Sequence, residues 1–280
     1  MRKNTTVVVE IKGGFGNQIF QFSFANILRQ KGYRVLINKR FYDYNSKETQ
    51  NNTYRNLIFH ENYFGFRNIS YIYFKIFEFM NKHRKFSNKF FSKMKDSDFN
   101  EKNLDKKFVH LDGYWQDIDN LISQKKFLID SISKNKKIYN SLNLLPNNDS
   151  LMVLVRRGDY LDMDEDLGVK FYENCLKEFK KIKSYSSFTV FTDDVNWVKK
   201  QKIFNNADSI IGPEESSEEV INLFSKMLQN KHFIVSNSTF SLIAAFFAEQ
   251  EDSIIMVADP WFRNKEKTNL YKENWYKIKQ

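Results

Sequence analysis

The chain has 280 residues, of which 41% are hydrophobic and 16% aromatic, a composition that argues against disorder and supplies core material for two domains. Forty-four Lys and Arg against 34 Asp and Glu give a net charge of +10, which implies an anionic partner; nucleic acid, a nucleotide-sugar and an anionic membrane all satisfy it. The single cysteine, Cys175, excludes a disulfide framework and a Cys-rich zinc site, and fits a reducing compartment.

Residues 6–11 read as a first strand, too short an apolar run for a signal peptide, and no stretch approaches the ~20 apolar residues of a membrane span. The expectation is a cytoplasmic protein. Gly13-Gly14-Phe15-Gly16-Asn17-Gln18 follows the strand at once. Phe20, Phe24, Ile27 and Leu28 then recur at helical spacing, Lys31-Gly32 ends the helix, and residues 33–37 form a second strand. Glycines at such a turn let the backbone approach a phosphate or sugar, beside a helix N-terminus that favours negative charge. A tight turn without a ligand explains them equally well. The spacing is not G-x-G-x-x-G, which argues against a nicotinamide or flavin cofactor.

Residues 71–80 read as an amphipathic helix. Residues 81–107 carry Lys82, Arg84, Lys85, Lys89, Lys93 and Lys95, read as a solvated helical face, with a membrane- or acceptor-facing patch as the alternative. Residues 108–111 form a strand that ends in Asp112-Gly113-Tyr114-Trp115-Gln116. Tyr114 and Trp115 suit either a sugar platform or the core. Residues 118–144 read as helical. Pro146-Asn147-Asn148-Asp149-Ser150 is the clearest linker and divides the chain into two domains, 1–146 and 147–280.

Residues 151–155 are five apolar residues in a row, the pattern of a parallel strand covered on both faces. The strand stops at Arg156-Arg157-Gly158-Asp159. In open α/β sheets ligands bind beyond the carboxyl ends of strands, and two guanidinium groups there form a rigid fork for phosphate, with Asp159 placed to hold one of them. The rest alternates: helix 170–183, strand 187–191 ending in Thr192-Asp193-Asp194, helix 196–202, strand 209–212, helix 218–230, strand 231–236 ending in Asn237-Ser238-Thr239-Phe240-Ser241, helix 241–249 and strand 253–257. Such alternation implies a parallel, doubly wound sheet. Asn237 to Ser241 offers hydroxyls and a helix start to a pyrophosphate, and Asp193 and Asp194 offer acceptors to a base or ribose.

With these motifs in place, the chain resembles the bacterial α-1,2-fucosyltransferases of glycosyltransferase family 11. Residues 13–21 are similar to that family's Gly-Gly-x-Gly-Asn-Gln-x-Phe-Gln signature, and residues 113–116 to its Gly-Tyr-aromatic-Gln segment. Arg156 to Tyr160 resembles the His-x-Arg-Arg-x-Asp motif shared with α-1,6- and protein O-fucosyltransferases. Residues 191–197 resemble its Phe-Ser/Thr-Asp-Asp…Trp block, and residues 231–241 its Lys-His…Asn-Ser-Ser/Thr-Phe-Ser block. The resemblance implies a GT-B fold, two Rossmann-like domains facing a cleft, and inverting transfer from GDP-β-L-fucose to O2 of a terminal galactoside, free or lipid-linked, as in O-antigen synthesis. It implies an acceptor side in domain 1–146 and the GDP-sugar site in domain 147–280, whose last helix would pack back on the first domain, with no cofactor and no metal. Arg156, Arg157, Asp159 and Asn17 would be catalytic. Gly13, Gly14, Gly16, Asp193, Asp194, Asn237, Ser238, Thr239 and Ser241 would bind the donor, and Tyr114, Trp115, Asp164 and Glu165 the acceptor.

The sequence departs from the pattern at Leu154, where the family carries a histidine expected near the guanine. Asp162-Met163-Asp164 has the Asp-x-Asp spelling of metal-dependent transferases; with arginines available it reads as accidental. Asp162, Asp164, Glu165 and Asp166 read as a solvated acidic loop, so no base for the acceptor hydroxyl stands out. The rival readings are a fucosyltransferase of another linkage, a transferase of another GDP-sugar, a non-catalytic binding protein motivated by Leu154, and a nucleic-acid binder. The last would need a recognisable module, and residues 81–107 match none. Peripheral contact with the inner membrane suits the charge.

Overall fold

The computed structural model describes residues 4–43, 57–69, 75–76, 79, 90–144, 149–212, 217–263 and 269–280. They fall into two compact units, residues 1–132 and 133–280.

The first unit runs β1 (Thr6–Glu10), α1 (Phe15–Gln30), β2 (Arg34–Asn38), α2 (Arg40–Asp43), β3 (Phe91–Lys95), β4 (Phe108–Asp112) and α3 (Ile118–Ile132). Its sheet has the order β2-β1-β4-β3, with all pairs parallel and Val8 in register with Leu36 and His110. Val7, Val9, Val109 and Leu111 are wholly buried on one face of this sheet, as alternation along a strand requires. The core around α1 is aromatic. Phe22 stacks on Phe64 with centroids 3.9 Å apart, and Phe24 on Trp115 at 4.4 Å. Each ring buried this way contributes roughly 2–3 kcal/mol relative to exposure.

The second unit runs α4 (Lys136–Asn143), β5 (Ser150–Val155), α5 (Gly158–Asp162), α6 (Gly168–Ile182), β6 (Ser187–Thr192), α7 (Val195–Lys200), β7 (Ser209–Ile211), α8 (Ser217–Leu228), β8 (His232–Val235), α9 (Thr239–Ala248), β9 (Ile255–Asp259) and β10 (Tyr276–Lys279). Six parallel strands lie in the order β10-β9-β8-β5-β6-β7. β5 is buried at every position. Leu151, Val153 and Val155 pack against Phe171, Tyr172, Cys175 and Phe179 of α6, so the helix face read from the sequence is the one that meets the sheet. Burial pushes the Cys175 thiol well up, which leaves it an inert core residue.

Several expectations change. The division falls one helix before the Pro146 linker, because α4 packs on α8 and its Lys137 Nζ donates to Asn222 Oδ1 at 2.8 Å. Residues 145–148 lie outside the described residues, as do Lys82, Arg84, Lys85, Lys89 and most of the helix expected over 71–80, of which residues 75, 76 and 79 are helical. Lys93 and Lys95 sit on strand β3, not on a helix, since β3 pairs with β4. The last described element is a strand, β10 on β9, rather than a helix returning to the first domain. Both units are parallel, Rossmann-like α/β layers, the kind of domain that the resemblance implies.

Candidate active site

In the second unit the chain leaves β5 for β6 and β7 on one side, then returns to lay β8, β9 and β10 on the other. The sheet therefore reverses its winding between β5 and β8, the position where open α/β sheets bind ligands. The polar strand ends Arg156-Arg157 and Asn237-Ser238 leave those two strands.

Each arginine is held by two carboxylates. Arg156 Nη2 donates to Asp159 Oδ1 at 2.6 Å, and its Nη1 lies 2.9 Å from Asp193 Oδ2. Arg157 donates from Nη1 to Asp166 Oδ2 at 2.8 Å and from Nε to Asp194 Oδ2 at 3.2 Å, while its guanidinium covers the Trp197 ring at 4.1 Å. Burial pulls the Arg156 pKa down, but Asp193 and Asp159 outweigh it and raise the pKa above its ordinary value. The Arg157 backbone N–H donates to Asp193 Oδ1 at 2.8 Å, so one aspartate from β6 fixes both the main chain and the first side chain of the turn. Gly158 is required by close approach, because a Cβ there would stand 2.8 Å from Asp193 Oδ2. Four carboxylates surround two guanidiniums, so the turn is a fixed fork rather than a free positive patch. Arg156 Nε and Arg157 Nη2 have no carboxylate partner among the described residues. Arg156 is the more open of the two, 27% exposed against 12%.

Asn237 ties this turn to the start of α9. Its carbonyl accepts the Tyr160 hydroxyl at 2.9 Å, and its wholly buried side chain donates Nδ2 to the Glu165 carbonyl at 2.8 Å. Asn237 Oδ1 is buried without a hydrogen-bond partner, as is Ser236 Oγ beside it. Ser238, the residue just before α9, makes no side-chain cap hydrogen bond to the helix. Its first turn is therefore a place where an anion can take up backbone N–H groups.

In the first unit the glycine turn is built by hydrogen bonds to its own frame. Gly13 has φ 78°, and its carbonyl accepts from Tyr42 Oη at 2.8 Å and from Gln18 Nε2 at 3.3 Å. Buried Gln21 accepts from Lys12 N at 3.0 Å and donates to the Gly113 carbonyl at 3.0 Å, joining the β1 and β4 ends. Gln116 Nε2 donates to Asn17 Oδ1 at 2.7 Å. A Cβ on Gly14 would meet nothing within 4 Å, so the N-terminus of the 16-residue α1 is open at that point. Asp112 binds Lys12 at 2.5 Å and Lys93 at 2.8 Å. Burial would raise its pKa, but the two lysines bring the carboxyl down to about 2.

The model of glycosyl transferase family 11 matches residues 6–279. The chain belongs to glycosyl transferase family 11. It is 26% identical to an Escherichia coli alpha-1,2-colitosyltransferase over 98% of this chain and 99% of that protein. It is 24% identical to the Escherichia coli O-antigen biosynthesis glycosyltransferase WbnK over 96% and 99%. Among solved structures it is similar to an Arabidopsis thaliana FUT1 variant in complex with GDP, with a TM-score of 0.49 and 13% identity, covering 94% of this chain and 71% of that one.

Within this family 11 glycosyltransferase, the positions singled out in the sequence divide into two groups. Arg156, Arg157, Asp159, Asp193, Asp194, Asn237 and Ser238 all lie on the carboxyl ends of β5, β6 and β8. Asp193 and Asp194, read from the sequence as acceptors for a base or ribose, are engaged with the arginines, and Asp194 Oδ1 also caps α7 by accepting from Trp197 N at 2.9 Å. Ser241 is wholly buried and donates its hydroxyl to the Ser238 carbonyl at 3.0 Å, so the backbone and not this side chain faces the helix start. Thr239 is the first residue of α9.

Trp115 is 6% exposed, stacked on Phe24 and edge-on to Phe99 with centroids 5.3 Å apart, which leaves no open ring face for a sugar. Tyr114 is half-buried, with Lys12 Nζ 5.3 Å from its ring centroid. Glu165 is buried and accepts from Arg263 N at 3.0 Å, whereas Asp164 is almost fully exposed. The acidic loop is therefore not uniformly solvated. The sequence reading missed Asp166 and Trp197 as partners of Arg157, and Tyr160 as the partner of Asn237. The signal for Trp197 was its place three residues after Asp194, on the first turn of α7. No cluster of three or more His, Cys, Asp or Glu suited to a metal ion occurs among the described residues. Among them, no helix is long and apolar enough to cross a membrane.

Proposed function

We propose that this glycosyltransferase moves L-fucose from GDP-β-L-fucose to O2 of a terminal galactoside, with inversion and without a metal, in the synthesis of a surface polysaccharide. The family match over residues 6–279 carries the reading, and the braced arginine pair beside the start of α9 supports it. The acceptor hydroxyl attacks the anomeric carbon on the face opposite the diphosphate as the bond to the departing GDP breaks. The oxocarbenium-like transition state then needs fixed donors aimed at the growing negative charge, and a guanidinium already locked in place costs no reorganisation at that moment. Arg156, with its greater exposure and unpartnered Nε, is assigned the contact with the diphosphate; Arg157 is assigned the support of the turn. The α9 N-terminus takes the other phosphate oxygens. Leu154 is buried in β5, so guanine recognition in this chain relies on residues other than the family's histidine. The enzyme works in the cytoplasm, with peripheral contact to the membrane that carries its lipid-linked acceptor.

A second reading, transfer of colitose, is favoured by the 26% identity with the alpha-1,2-colitosyltransferase. A donor screen separates the two. GDP-fucose, the GDP-linked form of colitose, GDP-mannose and UDP-galactose are offered with lactose, N-acetyllactosamine and a galactosyl-β-1,3-N-acetylhexosamine, and the linkage is read by NMR. Fucosyl transfer to O2 of galactose is expected. Turnover only with the colitose donor establishes the second reading, and turnover only with UDP-galactose overturns both.

A further inference from the structure

We infer that Arg263 is a positioning residue for Arg157, acting through the 164–166 loop; this rests on the reading of the arginine turn as the seat of the donor diphosphate. Arg263 follows β9, a strand end not otherwise used by the site. Its Nη2 donates to the Asp166 carbonyl at 2.6 Å and its Nη1 to the Asp164 carbonyl at 3.2 Å. The same Nη1 lies 3.5 Å from Asp164 Oδ1, and the Arg263 backbone N–H donates to Glu165 Oε2 at 3.0 Å. Three consecutive loop residues are thus gripped by one arginine, whose Nε donates in turn to Gln280 Oε1 at 3.3 Å.

The loop's own backbone braces its start, where Asp164 N donates to the Leu161 carbonyl at 3.2 Å and Glu165 N to the Tyr160 carbonyl at 2.9 Å, and the Arg263 grip acts on the part that continues to Asp166. Asp164 sits at φ 54°, a region that non-glycine residues seldom occupy and that persists only where the surroundings impose it. The next residue but one, Asp166, carries the carboxylate that receives Arg157 Nη1 at 2.8 Å. From the other side, Asn237 Nδ2 holds the Glu165 carbonyl at 2.8 Å, so the same loop is shared with the start of α9. Arg263 therefore sets where Asp166 stands, and Asp166 sets one arm of the Arg157 fork. A lysine reaches one carbonyl but cannot straddle two, because only the planar fork presents parallel donors.

Two readouts test this, one without any ligand. In ligand-free protein, the ¹⁵Nε NMR signal of Arg157 is expected to shift and broaden in Arg263→Ala and in Arg263→Lys. In calorimetric titration with GDP, both variants are expected to bind roughly 10-fold more weakly, since small displacements of a positioning contact are costly. In the Asp166→Asn background, Arg263→Ala is expected to add almost nothing, because both changes remove the same support. Guanidinium at low millimolar concentration is expected to restore part of the GDP affinity of Arg263→Ala without moving its melting temperature. An unmoved Arg157 signal, or effects of Asp166→Asn and Arg263→Ala that multiply, overturns the inference. A moved Arg157 signal in a protein whose wild type binds no GDP supports the positioning role and overturns the functional reading instead.

Discussion

Lysine substitutions separate the two arginines of the turn. Arg156→Lys keeps a charge within reach of Asp159 and Asp193, both partly open at 25% and 15% exposure, but loses the second arm and the unpartnered Nε. If that arm meets the departing diphosphate, kcat falls by roughly 10²–10³-fold, the loss seen when one oxyanion donor is removed. Because Arg156 itself is 27% exposed against 12% for Arg157, and an ammonium there still pairs with one of its carboxylates, the loss is about 1 kcal/mol and melting moves by only a few degrees. Arg157→Lys differs. Asp166 and Asp194 cannot both be satisfied by one ammonium, and the flat contact with Trp197 at 4.1 Å is lost. Breaking a fully buried pair costs about 3–5 kcal/mol; with Asp166 19% and Asp194 33% exposed, about 2 kcal/mol is expected. For a unit of this size that lowers the melting temperature by roughly 4–8 °C. The assay pairs steady-state transfer and GDP calorimetry with thermal melts on both variants. The reasoning is refuted if Arg157→Lys loses turnover with no change in melting while Arg156→Lys does the reverse. Near-normal kcat and GDP affinity in both would place the donor elsewhere.

Full transfer activity is expected after exhaustive EDTA treatment, and a strict requirement for Mg²⁺ or Mn²⁺ would sink the arginine-based mechanism. Gly13→Ala is expected to lower stability by at least ~1–2 kcal/mol, because a left-handed L-residue is costly and its Cβ would also stand 2.9 Å from Asn17 Nδ2 and 3.0 Å from Tyr114 Cε1; an unchanged melting temperature would contradict the turn geometry. Stability of the second unit is expected to decline with acid in two stages. Burial, as the largest cause, lowers the His232 pKa, so the fold favours neutral imidazole with Nδ1 accepting from Ile254 N at 3.0 Å, and stability is lost as pH falls below the ordinary value of 6.5. Lys183, followed by His232 and Lys231, holds Asp149 down at about 2, a contribution present above the ordinary carboxylate range and lost as pH falls towards 2. Urea midpoints at descending pH check this, and a flat profile from neutral to pH ~4 would contradict it.

The parallel sheet of the second unit was legible because buried strands announce themselves: residues 151–155 and 233–235 are continuous apolar runs between helical patterns. β3 was not, since Phe91 and Met94 are buried three apart and the intervening lysine is open, a spacing that mimics a helix. β10 was not either, for Tyr276–Lys279 is an edge strand that is mostly exposed and is defined only by its pairing with β9. At the site, strand ends and turn glycines could be read from local pattern. The partners could not. Asp193 reaches the turn from 36 residues away along the chain, and without that contact it looks like a free acceptor. Trp115 showed the same ambiguity, and only Phe24 and Phe99, distant in sequence, resolve it in favour of the core.

Cys175 has a practical consequence. It is the chain's one thiol, wholly sealed under β5 by α6, with its ionisation suppressed. A maleimide or disulfide reagent therefore finds nothing to modify while the second unit stays closed, and finds one site when that core opens. The wild-type protein thus carries its own clock for opening of the second unit's core, timed by thiol trapping in denaturant with or without GDP. For the same reason, a surface cysteine added for a fluorophore or spin label can be modified selectively without first removing the native one.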